Sequence, residues 1–224
     1  MSRLAYYFSS AEGFLTLLIT IFCVFLSLTI HEVSHGYMAY LRGDNTAKYT
    51  GRLSFNPINH IDPLGALCLF LFGFGWAKPV MINTRNFKTK TIKLDMVLTS
   101  LAGPVSNFIT AFISVFLMVL VINFTAVEGL WYLAFTILQT LAVMNLGLGV
   151  FNLIPIPPLD GSKVLSAILP TRIYFKLMQY ERYGFIVLII LINLSFFGGL
   201  LTLAVEGLYG GFYSLSNLIL ELFV

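Results

Sequence analysis

The sequence predicts an all-α multi-pass membrane protein with about four transmembrane helices plus a re-entrant or β-like membrane-edge segment. Three observations predict it. The chain of 224 residues is 58% hydrophobic and only 10% charged, with a mean hydropathy of +0.89, whereas soluble domains carry about 25% charged residues. Four apolar segments are long enough to cross a bilayer, for which about 20 residues suffice. All but one of the basic residues lie in the connections that such a topology places on one side. So much apolar surface with so little charge needs lipid as its solvent, and the length suits a single domain, 1–224.

The first span runs from about Phe14 to Ile30 and continues as helix through Tyr40; the second runs from Met96 to Ile122, the third from Leu130 to Leu153 and the fourth from Tyr183 to Val205. Two apolar pieces are too short to span. Leu64 to Ala77, rich in Gly, Phe and Leu and followed by Lys78-Pro79, has the length of a re-entrant or interfacial segment. Gly207 to Leu220, with Gly207, Gly210 and Gly211, reads as an interfacial helix or half-span.

Charge sets the orientation. Arg42 to Asp95 holds Arg42, Lys48, Arg52, Lys78, Arg85, Lys88, Lys90 and Lys93, and Asp160 to Arg182 holds Lys163, Arg172, Lys176 and Arg182. Those are twelve of the thirteen basic residues, with Arg3 left over. Basic loops stay cytoplasmic, so four spans put the N-terminus outside, both basic stretches in the cytoplasm and the C-terminal region at the outer face. The N-terminus does not read as a secretory signal: it has one basic residue, a long apolar run and no small-residue cleavage site. Cys23 and Cys68 lie in apolar runs and read as small packing residues rather than a disulfide framework. No basic run is interleaved with aromatics as nucleic-acid binding would require.

The first span ends in His31-Glu32-Val33-Ser34-His35-Gly36, an H-E-x-x-H pattern. On a helix, residues four apart are about 40° apart in projection, so both imidazoles share a face and can grip one ion. Glu32 lies beside them, placed to take a proton from a metal-activated water without being a ligand. Ionisable groups at the end of a membrane helix are costly and functional by default. A catalytic zinc takes three protein ligands and keeps its fourth position open. The candidates for the third are His60, in the turn-rich Asn56-Pro57-Ile58-Asn59-His60-Ile61-Asp62-Pro63, and Asp160, in Asn152-Leu153-Ile154-Pro155-Ile156-Pro157-Pro158-Leu159-Asp160-Gly161. Asp160 is the better candidate. It closes a charge-free run and follows three prolines that cannot continue a helix and that predict extended chain. Broken backbone at membrane depth often builds ion or substrate sites.

With both motifs in view, the chain resembles the site-2 protease family of intramembrane zinc metalloproteases, in its compact form without PDZ or CBS domains. Further segments are similar in the same order: Gly51-Arg52-Leu53, Asn56-Pro57, Asp62-Pro63-x-Gly65, Trp76-Ala77-Lys78-Pro79-Val80 and Ala102-Gly103-Pro104-x-x-Asn107. The similarity covers roughly residues 25 to 165. Where many relatives have a second glycine after Leu-Asp-Gly, this chain has Ser162. The resemblance implies one Zn2+ on His31, His35 and Asp160, catalysis by Glu32, and a role for Asn107 in holding substrate or a developing oxyanion. It implies an endopeptidase that cuts transmembrane segments of other membrane proteins, working in a prokaryotic cell (inner) membrane with its site toward the cytoplasm. The rival readings are a membrane-embedded zinc carrier, which needs no Glu32, and a protein that binds membrane helices without cutting them.

Overall fold

The computed structural model describes residues 7–72, 77–88 and 91–223. Three long apolar helices form the body: α1 (Ala11–Leu41), α4 (Ile92–Phe124) and α5 (Leu130–Asn152). Between α1 and α4 lie the short α2 (Thr46–Tyr49), a 3-10 turn at Pro57–His60, and α3 (Pro63–Phe72). After α5 come α6 (Asp160–Ile168), α7 (Thr171–Gln179), α8 (Glu181–Ile192) and α9 (Ser195–Glu221). The chain is an integral membrane protein of the predicted class.

The start of α1 is fixed by Ser10, whose Oγ accepts the Gly13 N–H at 3.0 Å, and Glu12 in the first turn suits the positive end of the helix. Its end comes at Arg42-Gly43, where Gly43 takes a φ of 108° that other residues avoid. Along its length Thr16, Thr20, Ser27, Thr29 and Ser34 return their hydroxyls to the carbonyl four residues back. That leaves few polar groups for lipid to meet, as a spanning helix requires.

The helices α1, α4 and α5 pack against one another, and α9 packs on α4 and α5. Val115, Met118 and Ala142 form the buried centre, covered by Tyr209 and Phe212 of α9. Tyr209 donates its hydroxyl to Met118 Sδ at 3.3 Å, and Phe212 meets Phe112 edge to face at 5.4 Å. Apolar residues such as Phe22, Ile109 and Ile190 remain more than half exposed, which in lipid costs nothing.

The three spans agree with the sequence reading within a few residues; the fourth does not. The run from Tyr183 to Val205 is broken at Asn193-Leu194, where α8 and α9 meet at 85°. Asn193 ends α8, donating its backbone N–H to Ile189 and Ile190 and its side-chain amide to Ile189. An apolar count registers no such end. Gly207 to Leu220 is correspondingly not a separate half-span: it continues the 27-residue α9.

The segment after His60 leaves and returns. Ile61 pairs with Ala77 in an isolated antiparallel bridge, and the Lys78 N–H donates to the His60 carbonyl at 2.8 Å. The two ends of the segment are thus hydrogen bonded together, with the helix α3 (Pro63–Phe72) on its outgoing limb. Trp76 lies outside the described residues. Residues 77–88 then run as a strap beside the C-terminal half of α1, without regular structure apart from the 3-10 turn Thr84–Asn86.

The proline-rich run before Asp160 is not extended, contrary to the sequence reading. Ile154, Ile156 and Leu159 donate to the carbonyls of Phe151, Ile154 and Ile156, giving a series of tight turns. Proline forbids helix here, but it also sets φ for turns, and short-range hydrogen bonds hold the chain compact.

Candidate metal centre

His31 and His35 sit one turn apart near the C-terminal end of α1, both buried, with rings meeting edge to face at 4.6 Å. Asp160 reaches them as the first residue of α6. Its Oδ2 lies 3.1 Å from His31 Nε2 and 3.0 Å from His35 Nε2, and the two Nε2 atoms are 3.0 Å apart. Asp160 Oδ1 turns the other way, toward Lys163 Nζ at 3.3 Å.

The other ring nitrogens show what this cluster needs. His35 Nδ1 lies 2.7 Å from the Thr99 carbonyl, and His31 Nδ1 lies 3.2 Å from Asn107 Oδ1. Both partners are acceptors, so each Nδ1 carries the proton and each Nε2 presents a lone pair. Two imidazole lone pairs and a carboxylate oxygen then converge in a buried space, an arrangement that repels itself unless a cation stands among them. The three ligand atoms lie within 4.8 Å of one another. Two nitrogens and one oxygen, each His held from behind by a hydrogen bond, suit a catalytic zinc with an open fourth position.

Glycines make the room. A Cβ on Gly103 of α4 would lie 2.4 Å from His35 Nε2 and 2.6 Å from His31 Cε1. A Cβ on Gly161 would lie 2.2 Å from the Leu153 carbonyl oxygen, so the turn that presents Asp160 closes only on a residue without a side chain.

Glu32 is partly exposed beside the cluster, and its Oε2 accepts the Val80 N–H at 2.9 Å. Asn107 is fully buried; its Oδ1 faces His31, and its Nδ2 has no partner among the described residues. His60 is not brought to the cluster. It is buried in the 3-10 turn with Nε2 2.8 Å from the Ser54 carbonyl.

Sequence reasoning missed three contributors. Thr99 and Val80 act through backbone atoms, which no residue type announces. Asp44 is a fully buried carboxylate that accepts from Thr46 N and Oγ1, Asn83 N and Asn86 Nδ2. Burial pushes its carboxyl up, and these hydrogen bonds outweigh burial, holding it below the usual carboxylate range. It ties the strap to the end of α1, as does the Lys88 N–H on the Arg42 carbonyl. Arg42 in turn pairs with the buried Asp95 of α4 at 2.5 Å. An Asp-Asn or Asx pattern around Gly43-Asp44-Asn45 was the available signal.

A buried His-His-Asp cluster that could hold a metal ion thus lies inside a bundle of apolar helices, with the Glu32 carboxylate beside it. Similar proteins point the same way. The profile of Peptidase family M50 matches residues 130–195. YwhC of Bacillus subtilis is 42% identical over 194 residues, covering 85% of each chain. Rip2 of Mycolicibacterium smegmatis is 29% identical over 176 residues, covering 75% of this chain and 63% of its own. The zinc metalloprotease MJ0392 of Methanocaldococcus jannaschii is 27% identical over 149 residues, covering 66% of this chain and 34% of its own. No solved structure gives a significant match. The chain belongs to peptidase family M50, the site-2 protease family.

Proposed function

We propose that this protein, a zinc-dependent protease of the M50 type, is an intramembrane endopeptidase that hydrolyses peptide bonds in transmembrane segments of other membrane proteins. The observation that carries the reading is the convergence of His31 Nε2, His35 Nε2 and Asp160 Oδ2 beside Glu32 within the helix bundle. In this reading residues 1–224 form one catalytic domain, and His31, His35 and Asp160 hold the zinc. Bound there, zinc supplies Lewis acidity toward the scissile carbonyl and lowers the pKa of water.

The residues of the chain do the rest. Thr99 and Asn107 hold the two imidazoles in the tautomer that offers Nε2. Glu32 takes a proton from the attacking water and returns it to the departing amine nitrogen, so that water adds across the C–N bond. The Val80 N–H holds one Glu32 oxygen and leaves the other free for that transfer. The Nδ2 of Asn107, without a partner among the described residues, is a buried donor next to His31, suited to the carbonyl oxygen of the substrate as it gains charge. A substrate helix must unwind to expose a peptide bond. The non-helical stretch from Ala77 to Asn83, adjoining Glu32, offers it backbone partners. The basic connections leave the bundle at the end that carries the site, which supports a site facing the cytoplasm of a prokaryotic cell membrane.

Glu32→Gln tests the assignment. It should keep near-normal zinc content and lose about 10² to 10⁴ in turnover of a transmembrane substrate in reconstituted vesicles. Near-normal cleavage by this variant rejects Glu32 as the base, and loss of zinc makes it a ligand instead. A wild-type protein that holds zinc and cuts no membrane segment favours the carrier reading.

A further inference from the structure

The loop between α2 and the segment 64–77 carries a feature that peptide hydrolysis leaves unused. Arg52 and Lys78 line a cleft of about 360 Å³ together with Thr50, Gly51, Asn59, Ile61 and, at its rim, the exposed Ile58. Among the described residues neither cation has a carboxylate within salt-bridge distance. The Arg52 guanidinium is oriented by a hydrogen bond to the Asn59 carbonyl, and the Asn59 side-chain amide donates to the Gly51 carbonyl at 3.4 Å. The cleft is therefore a shaped, cationic, polar-floored space with no internal counter-ion among those residues.

The same loop turns apolar residues outward. Tyr49, Phe55 and Ile58 are 82%, 71% and 76% exposed, in a connection that is otherwise polar. Exposed aromatic and aliphatic side chains beside unpaired cations form the pattern of a surface that sits in the headgroup layer, apolar groups toward the acyl chains and cations at phosphates. The position fits, because Ile61 of the cleft is where that segment begins and returns. A volume of this order accepts a small polar headgroup.

We propose that the Arg52–Lys78 cleft binds the phosphodiester headgroup of an anionic phospholipid, with Tyr49, Phe55 and Ile58 seated among its acyl chains. The cleft adjoins the catalytic strap. The Lys78 N–H bonds the His60 carbonyl, and two residues on the Val80 N–H holds Glu32. A lipid across this junction stiffens the element that orients Glu32, so anionic lipid raises turnover as well as stability. Binding stands independently of the protease reading; only the gain in turnover rests on it.

The test uses the full chain in nanodiscs of phosphatidylcholine with increasing phosphatidylglycerol. Retained phosphatidylglycerol is counted by native mass spectrometry, and the unfolding midpoint is followed in parallel. Wild type should saturate with phosphatidylglycerol and unfold at higher temperature. At roughly fivefold per juxtamembrane cation, Arg52→Gln with Lys78→Gln should weaken retention about thirtyfold. Arg172→Gln with Lys176→Gln, which removes two cations elsewhere, should leave it unchanged. Equal losses in both double variants, or no retention by wild type, overturn the proposal. Inorganic phosphate added to the protein in detergent should not reproduce the stabilisation. If it does so in full, the cleft is a free-phosphate site and the lipid assignment falls. Loss of cleavage with lipid retention intact counts against the protease reading and leaves the lipid site standing.

Discussion

Replacing Gly103 by alanine sets intrinsic helix propensity against the metal site, and the two respond with opposite signs. In the interior of α4, alanine is favoured over glycine by roughly 0.8–1.0 kcal/mol in intrinsic helix propensity, so the helix backbone itself tolerates the change. The new Cβ falls 2.4 Å from His35 Nε2 and 2.6 Å from His31 Cε1, whereas ordinary contact begins at 3.4 Å. The imidazoles must retreat by about 1 Å. They are held from behind by the Thr99 carbonyl and Asn107 Oδ1, so retreat also breaks the bonds that set their tautomers. Metal–ligand distances tolerate roughly ±0.2 Å, and an active-site displacement of 1 Å commonly costs about 10²-fold. Gly103→Ala should therefore keep wild-type helix content by circular dichroism while its zinc Kd, measured by competition with a chelator, rises at least about a hundredfold. Stoichiometric zinc at wild-type affinity in a folded Gly103→Ala protein would refute the geometry of the cluster.

Other expectations follow from the same contacts. Asp160→Asn should weaken zinc binding and abolish cleavage, while His60→Ala keeps zinc; metal analysis of the two variants decides between them, and the opposite pattern makes the Pro57–His60 turn part of the site. Asn107→Asp keeps an acceptor for His31 but removes the Nδ2 donor, so it should hold zinc and lose about 10²–10³ in kcat. Asn107→Ala removes both and should lower zinc affinity as well, so identical behaviour of the two argues against a separate donor role. Asp44→Asn leaves a buried network short of a charged acceptor and should cost roughly 1–3 kcal/mol in thermal or denaturant unfolding. Because the folded Asp44 pKa lies below its ordinary 3.8, its contribution is complete above that value and is lost as pH falls through the lower folded one. Wild type should therefore shed this increment only in acid below about pH 4, and Asp44→Asn should lack that step.

What was legible in the sequence was whatever repeats or is chemically costly. Three spans could be read because an apolar run of about 20 residues matches the thickness of the hydrocarbon core. His31, Glu32 and His35 stood out because charge at a membrane helix end demands a reason, and Asp160 because it ends a long uncharged run. The fourth span was legible only as a stretch and not in its bounds, for the converse reason. Asn193 interrupts an apolar stretch with one polar residue, and hydropathy averages over it while the backbone turns by 85°. The prolines before Asp160 announced a break but not its shape, since proline serves extended chain and tight turns alike.

The parts that stayed illegible share a cause: they are backbone groups or amides whose partners lie far off in sequence. Thr99 meets His35 across 64 residues and Val80 meets Glu32 across 48. Neither Thr99 nor Val80 uses its side chain for the contact, so substitution at either position leaves the bond in place unless the backbone moves. Asn107 differs, because its side chain is the contact. From sequence it was an amide in a family motif, with substrate as the expected partner. In the structure its oxygen lies 3.2 Å from His31 Nδ1 and its nitrogen has no partner among the described residues, so under the proposed mechanism the nitrogen is the end available to substrate. In the proposed mechanism one amide faces two demands with opposite ends, and neither glutamine, which shifts both, nor aspartate, which lacks the donor, satisfies the pair. The position therefore accepts fewer residues than either task alone would require.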